Sequence, residues 1–176
     1  MKAVLTIFCS LGLAAAVAGQ ALAQGGRGKA ELTVGSAKVS VDYGRPSLHG
    51  RTVDSMLAEL PNGPTPNFWR LGANQSTTFS TTGDLDFGGT TVPKGEYSLW
   101  AHHEADNSWK LVFNTQHGQW GTSHNASKDL VSVPLSESKA DTSVDRVTIS
   151  LQQHGDGGEI KIEWGDLVLS SDFTAK

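Results

Sequence analysis

The sequence predicts a mainly β protein: an antiparallel β-sandwich, jelly-roll-like or barrel-like, of about nine or ten strands with one short helical insertion. Two observations carry this expectation. Apolar side chains alternate with polar ones at period two along most of the chain, and glycine- or proline-rich turns separate the alternating runs. A third limits it, because helical spacing of apolar residues occurs only once, between Thr52 and Leu60.

The chain opens with Lys2, an apolar stretch from Ala3 to Ala18, and the small residues of Ala21-Leu22-Ala23. This is the three-part pattern of a secretory signal peptide, so residues 1–23 are expected to be removed, with cleavage between Ala23 and Gln24. The apolar stretch is shorter than the roughly 20 residues that span a bilayer, so no membrane span is expected after cleavage. Residues 24–29, rich in glycine, read as a flexible leader, and residues 30–176 as one domain. The expected location is exported, periplasmic or secreted.

The elements then follow in order. Val39, Val41 and Tyr43 alternate with Lys38, Ser40 and Asp42 as one half-buried strand. Val53, Met56, Leu57 and Leu60 fall on one helical face with Thr52 placed to cap it, and the three prolines between Pro61 and Pro66 end that helix. Asp84-Leu85-Asp86-Phe87 runs into a Gly88-Gly89 turn, and Pro93-Lys94-Gly95 precedes a strand from Tyr97 to His103. Trp109, Leu111 and Phe113 form the next strand. Val147, Ile149 and Leu151 are joined to Ile160, Ile162 and Trp164 through the glycine-rich turn at 155–158, and Leu167, Leu169 and Phe173 close the chain.

Composition bounds the function. The only cysteine, Cys9, lies in the expected signal peptide, leaving no thiol, disulfide or cysteine ligand for the rest. The formal charge of −4 becomes more negative by one with the loss of Lys2, which argues against a nucleic-acid partner. No Gly-x-Ser-x-Gly elbow is present, and no cofactor or metal signature is complete.

Several short motifs occur together: Tyr43-Gly44-Arg45-Pro46, Gly50-Arg51, Trp69-Arg70-Leu71-Gly72-Ala73-Asn74 with Thr77-Thr78, Pro93-Lys94-Gly95-Glu96-Tyr97-Ser98-Leu99, and Asn114 with Gln119-Trp120-Gly121. In this order they closely resemble a bacterial family of exported proteins known as a domain of unknown function, DUF2911. The resemblance runs from about Ala30 to Phe173. It implies an exported, mostly β bacterial domain and supplies no catalytic residues. The proline-rich approach from Asn62 to Asn67 departs from the pattern.

The candidate binding residues are Tyr43, Arg45, Arg51, Trp69, Arg70, Asn74 and Trp120. Guanidinium groups bind carboxylate, phosphate or sulfate through paired hydrogen bonds, and tryptophan offers a flat apolar wall. The competing reading pairs the arginines with Asp42, Asp54 or Glu59 as a brace. His102 and His103 point to opposite faces of one strand, while His117 and His124 flank Trp120 without a ligand spacing for metal. Trp109 and Trp164 fit a core, whereas Trp100 and Trp120 are the expected surface tryptophans.

Three functions are compatible with these residues. The first is a non-enzymatic binding module for a small anionic or carbohydrate-like ligand, or for a cell-envelope partner. The second is a hydrolase in which the arginines stabilise negative charge beside a histidine acid or base. The third is an interaction protein without a pocket.

Overall fold

The computed structural model describes residues 26–176; the expected signal peptide with its Cys9, and the first residues of the leader, lie outside the described residues. β1 (Arg27–Val34) pairs with β2 (Ala37–Gly44) in an antiparallel hairpin. β1 therefore begins within the stretch expected as leader, where Arg27 forms an ion pair with Asp42 and Gly28 lies opposite Tyr43.

α1 (Val53–Leu57) is shorter than the helix predicted over Thr52 to Leu60. Thr52 caps it as expected, its Oγ1 accepting from the Ser55 amide at 3.2 Å. Pro61 accounts for the early stop: in a continued helix its ring would collide with the carbonyl four residues back, that of Leu57. The chain instead tightens into a 3-10 turn over Leu60–Asn62.

The remaining strands are β3 (Phe68–Trp69), β4 (Thr78–Thr81), β5 (Leu85–Phe87), β6 (Thr90–Val92), β7 (Gly95–His103), β8 (Trp109–Asn114), β9 (Asp129–His154) and β10 (Gly157–Ala175). They form one antiparallel sheet in the order β1-β2-β4-β7-β8-β9-β10-β5-β6, which does not close. β9 pairs with β8 through its first part and with β10 through the rest, so one strand serves both halves of the sandwich. β1 consequently meets β9 and β10 across the interior. The β9–β10 register shifts around Gly165, whose φ of 62° suits glycine and lets the ribbon bend. Among the described residues, no helix is long and apolar enough to cross a membrane.

The inward residues of both halves make one core. Phe113 packs edge-on against Phe79 at 5.2 Å and Tyr97 at 5.9 Å, and Phe87 lies against both Phe113 and Phe173. Trp69 stacks on Trp164 at 5.4 Å, tying β3 to β10. Trp109 and Trp164 are buried, as the alternation predicts.

Two departures from plain sheet geometry position the candidate residues. β4 pairs with the first half of β7 and β3 with the second, so both lie along the same side of that strand. The chain between them, from Arg70 to Thr77, must leave the sheet and return. On the outward face of β7 and β8, the loop from Thr115 to Lys128 folds back over Ser98, Trp100 and Asn114. Trp100 is therefore 1% exposed, correcting its expected surface position.

Candidate functional site

The detour from Arg70 to Thr77 is held tightly. Leu71, fully buried, has a φ of 53°, and Asn74 a φ of 64°. Asparagine tolerates this left-handed region, but leucine there stores roughly 1–3 kcal/mol that the surroundings must offset. Those surroundings are specific. Thr77 Oγ1 donates to the Leu71 carbonyl at 3.0 Å, and Ala73 rides directly on Gly44, where a Cβ would lie 2.5 Å from the Ala73 nitrogen and closer still to its carbonyl oxygen. Only glycine allows that crossing.

The tip of the long loop docks on the outside of this detour. The Ser76 amide donates to the Gln119 carbonyl at 2.9 Å, the Gly121 amide donates to the Asn74 carbonyl at 2.7 Å, and Gln75 forms a bridge with Trp120. The Arg70 side chain runs along Gly121, where a Cβ would come within 3.3 Å of its Cδ. Arg70 is half-buried, and its guanidinium has neither hydrogen bond nor ion pair among the described residues. Trp120, next to it, is 57% exposed. The result is a set of open donors beside an apolar indole.

The other predicted residues divide. Tyr43 is buried at the end of β2, its ring against Gly28 together with the Arg45 stem, and both adjoin the detour through the Gly44–Ala73 crossing. Arg45 reaches β9, its Nε donating to the Val147 carbonyl at 3.2 Å and Nη2 to Thr148 Oγ1 at 3.3 Å. Arg51 is exposed and donates to the Leu48 carbonyl in its own turn. Trp69 faces the core. Arg70, Asn74 and Trp120 are thus brought together, while Arg51 and Trp69 point elsewhere. None of Arg45, Arg51 or Arg70 is paired with Asp42, Asp54 or Glu59 among the described residues; Asp42 is taken by Arg27.

Further along the same outward face lies a polar and aromatic layer. Trp100 Nε1 and Gln119 Nε2 both donate to Ser98 Oγ, at 3.0 and 3.2 Å. His124, its side chain 4% exposed, lies 4.7 Å from the Trp100 ring and 4.5 Å from Phe68, with Nε2 2.9 Å from Asp129 Oδ1. Asn114 Nδ2 donates to that same oxygen at 2.7 Å and to the Asn125 carbonyl at 2.8 Å. Phe68 stacks in turn on His102 at 4.2 Å.

The family model described as "Protein of unknown function (DUF2911)" matches residues 26–173. The chain belongs to the DUF2911 family. The match takes in the sheet from β1 to most of β10, and with it the detour and the covering loop. Nothing among curated proteins or solved structures matches the chain.

In this DUF2911 chain five of the six histidines find carboxylates or rings as partners among the described residues, and His49 is exposed. His102 lies 3.1 Å from Glu104, His117 3.8 Å from Glu96, His154 2.8 Å from Asp172, and His103 packs on Trp109 at 4.5 Å. None bonds to Arg45, Arg51 or Arg70 among the described residues, which is the contact a hydrolase built on those arginines requires. Lys110, by hydrogen bonding, holds the Glu104 carboxyl below its ordinary range, with His102 adding to the effect. No group of three or more His, Cys, Asp or Glu side chains among the described residues is placed to hold a metal ion.

Sequence reasoning missed the layer around Trp100. The Ser98-x-Trp100-x-His102 alternation does put these residues on one face. Their partners Phe68, Asn114 and Asp129 arrive by cross-strand register and His124 by loop closure, for which the sequence has no local signal.

Proposed function

We propose that this protein is an exported, non-enzymatic binding module, and that the corner formed by Arg70, Asn74 and Trp120 takes a small anionic or carbohydrate-like ligand, free or displayed by a cell-envelope partner. The observation that carries this reading is half-buried Arg70, whose guanidinium has no hydrogen-bond or ion-pair partner among the described residues, beside the exposed Trp120. Arginine is rarely withdrawn from water unless paired, and its planar donors match a carboxylate or sulfate. An indole supplies the flat face on which a sugar ring packs. A ligand carrying both features, such as an acidic sugar, uses the whole corner. The strained Leu71 supports it, because buried backbone strain of this kind gathers where side chains are held for function. Export rests on the pattern of residues 1–23.

Isothermal titration with glucuronate, glucose and acetate tests the reading. Glucuronate should bind most tightly. Arg70→Ala should weaken it by about 2 kcal/mol, roughly thirtyfold, as expected for a charge-assisted hydrogen bond. Trp120→Ala should weaken glucose and glucuronate alike, whereas Arg51→Ala should change neither. Equal binding of glucuronate by wild type and Arg70→Ala would reject this site.

A further inference from the structure

A concave surface opens beside the covered layer. It is a groove of about 270 Å³ between β3, the β7–β8 turn and the start of β9. Its apolar walls are Phe68, Val112 and Leu130. Phe68 is a fixed wall, because His102 and His124 close on its ring. Leu130, at 46% exposure, is with Trp120 one of the two exposed large hydrophobic residues among those described.

Two carboxylates stand in this groove, and both are half used. Asp129 Oδ1 receives Asn114 Nδ2 at 2.7 Å and is 2.9 Å from His124 Nε2, while Oδ2 has no donor among the described residues. Glu104 Oε1 lies 3.0 Å from Lys110 Nζ and 3.1 Å from His102 Nδ1, while Oε2 has no donor among the described residues. The protein's own contacts fix the orientation of each carboxylate through one oxygen and leave the other unoccupied. Lys110 pairs with Glu104, whereas Asp129 has no lysine or arginine partner among the described residues. An apolar wall beside an oriented carboxylate without such a partner complements an ammonium head on a short apolar body.

We propose that this groove binds a small monocationic organic amine, its ammonium group donating to Asp129 Oδ2 and its apolar body lying against Phe68 and Leu130. The site is separate from the Arg70 corner and opposite to it in charge preference.

Titration of the isotopically labelled protein with hexylammonium, hexan-1-ol and hexanoate, followed by NMR, tests the assignment. Hexylammonium is expected to shift the Val112 and Leu130 methyl signals saturably, leaving the Trp120 indole N–H in place, and to bind at least tenfold more tightly than the alcohol or the acid. Asp129→Asn keeps an acceptor for Asn114 and His124 while removing the charge, and should cost about tenfold in affinity. Glu104→Gln, at the carboxylate paired with Lys110, should cost at most about threefold, and Leu130→Ser should weaken hexylammonium in a protein whose spectrum is otherwise unchanged. If hexanoate or hexanol binds as well as hexylammonium, if no saturable shift occurs, or if Asp129→Asn leaves affinity unaltered, the proposal is wrong. A failure of glucuronate to bind at Arg70 leaves this result unaffected, since the two ligands report through different signals.

Discussion

Asp86, Glu104 and His154 show how single side chains tie this protein to pH, and in opposite directions. The Gly89 amide, helped by Lys176, holds Asp86 below its ordinary value of 3.8, and Lys110 holds Glu104 below 4.5. A carboxyl depressed on folding contributes stability above its ordinary value and loses it as pH falls through the lowered one. His154 has the reverse sign. Hydrogen bonding and charge from Asp172 raise it above 6.5, so its contribution is complete below 6.5 and disappears as pH rises through the raised value. Asp172→Asn should therefore return the His154 NMR titration toward 6.5. It should also lower the melting temperature more at about pH 5.5 than at about pH 8.5, although an exposed pair keeps the difference small. An equal effect at both values would show that the pair is not coupled to folding. At this scale the sequence reading was partly sufficient. Asp84 just before β5 and Asp86 within it each accept a backbone amide from a neighbouring turn, that of Lys94 or Gly89, at 2.8 Å.

Among the elements, strands were legible and coverings were not. Val39, Val41 and Tyr43 of β2, and Trp109, Leu111 and Phe113 of β8, face the core as their alternation dictates, because a pleated strand has only two sides. Alternation says nothing about a strand's second side. It placed Trp100 outward correctly, yet the loop from Thr115 to Lys128 lies over it. His124 is the keystone of that loop, filling the space between Phe68 and Trp100 and bonding Asp129. His124→Ala should destabilise the protein by about 1–3 kcal/mol through the lost bond and a less well satisfied Asp129 carboxylate. Trp100 should then move to a wetter environment, read as a red shift in fluorescence, with faster amide exchange confined to the loop. Unchanged exchange in the loop would show that His124 does not hold it down. The helix was legible in position and cap but not in length, since its spacing favours Leu60 while the Pro61 ring stops it at Leu57.

The whole molecule has no seam along which it could divide. β9 belongs to both halves of the sandwich, and Trp69 and Trp164 join the halves through the core. Urea unfolding should accordingly be a single transition, with tryptophan fluorescence and far-ultraviolet circular dichroism coinciding. A chain with one cysteine cannot form an internal disulfide, so a reductant should not shift the midpoint. Non-coincident transitions would mean that the halves unfold separately. By itself, the sequence determined the antiparallel β class, the single short helix and its cap, the motifs that place the chain in its family, and the residue types of the candidate corner, because these depend on local spacing, turn chemistry and residue identity. Only the tertiary structure decided which of those residues meet. Arg70, Asn74 and Trp120 converge because the detour between β3 and β4 needs Gly44 beneath it and the loop tip above it. Phe68, Glu104 and Asp129 share a groove because strand register and loop closure bring distant segments together, and neither is written in any short stretch of the chain.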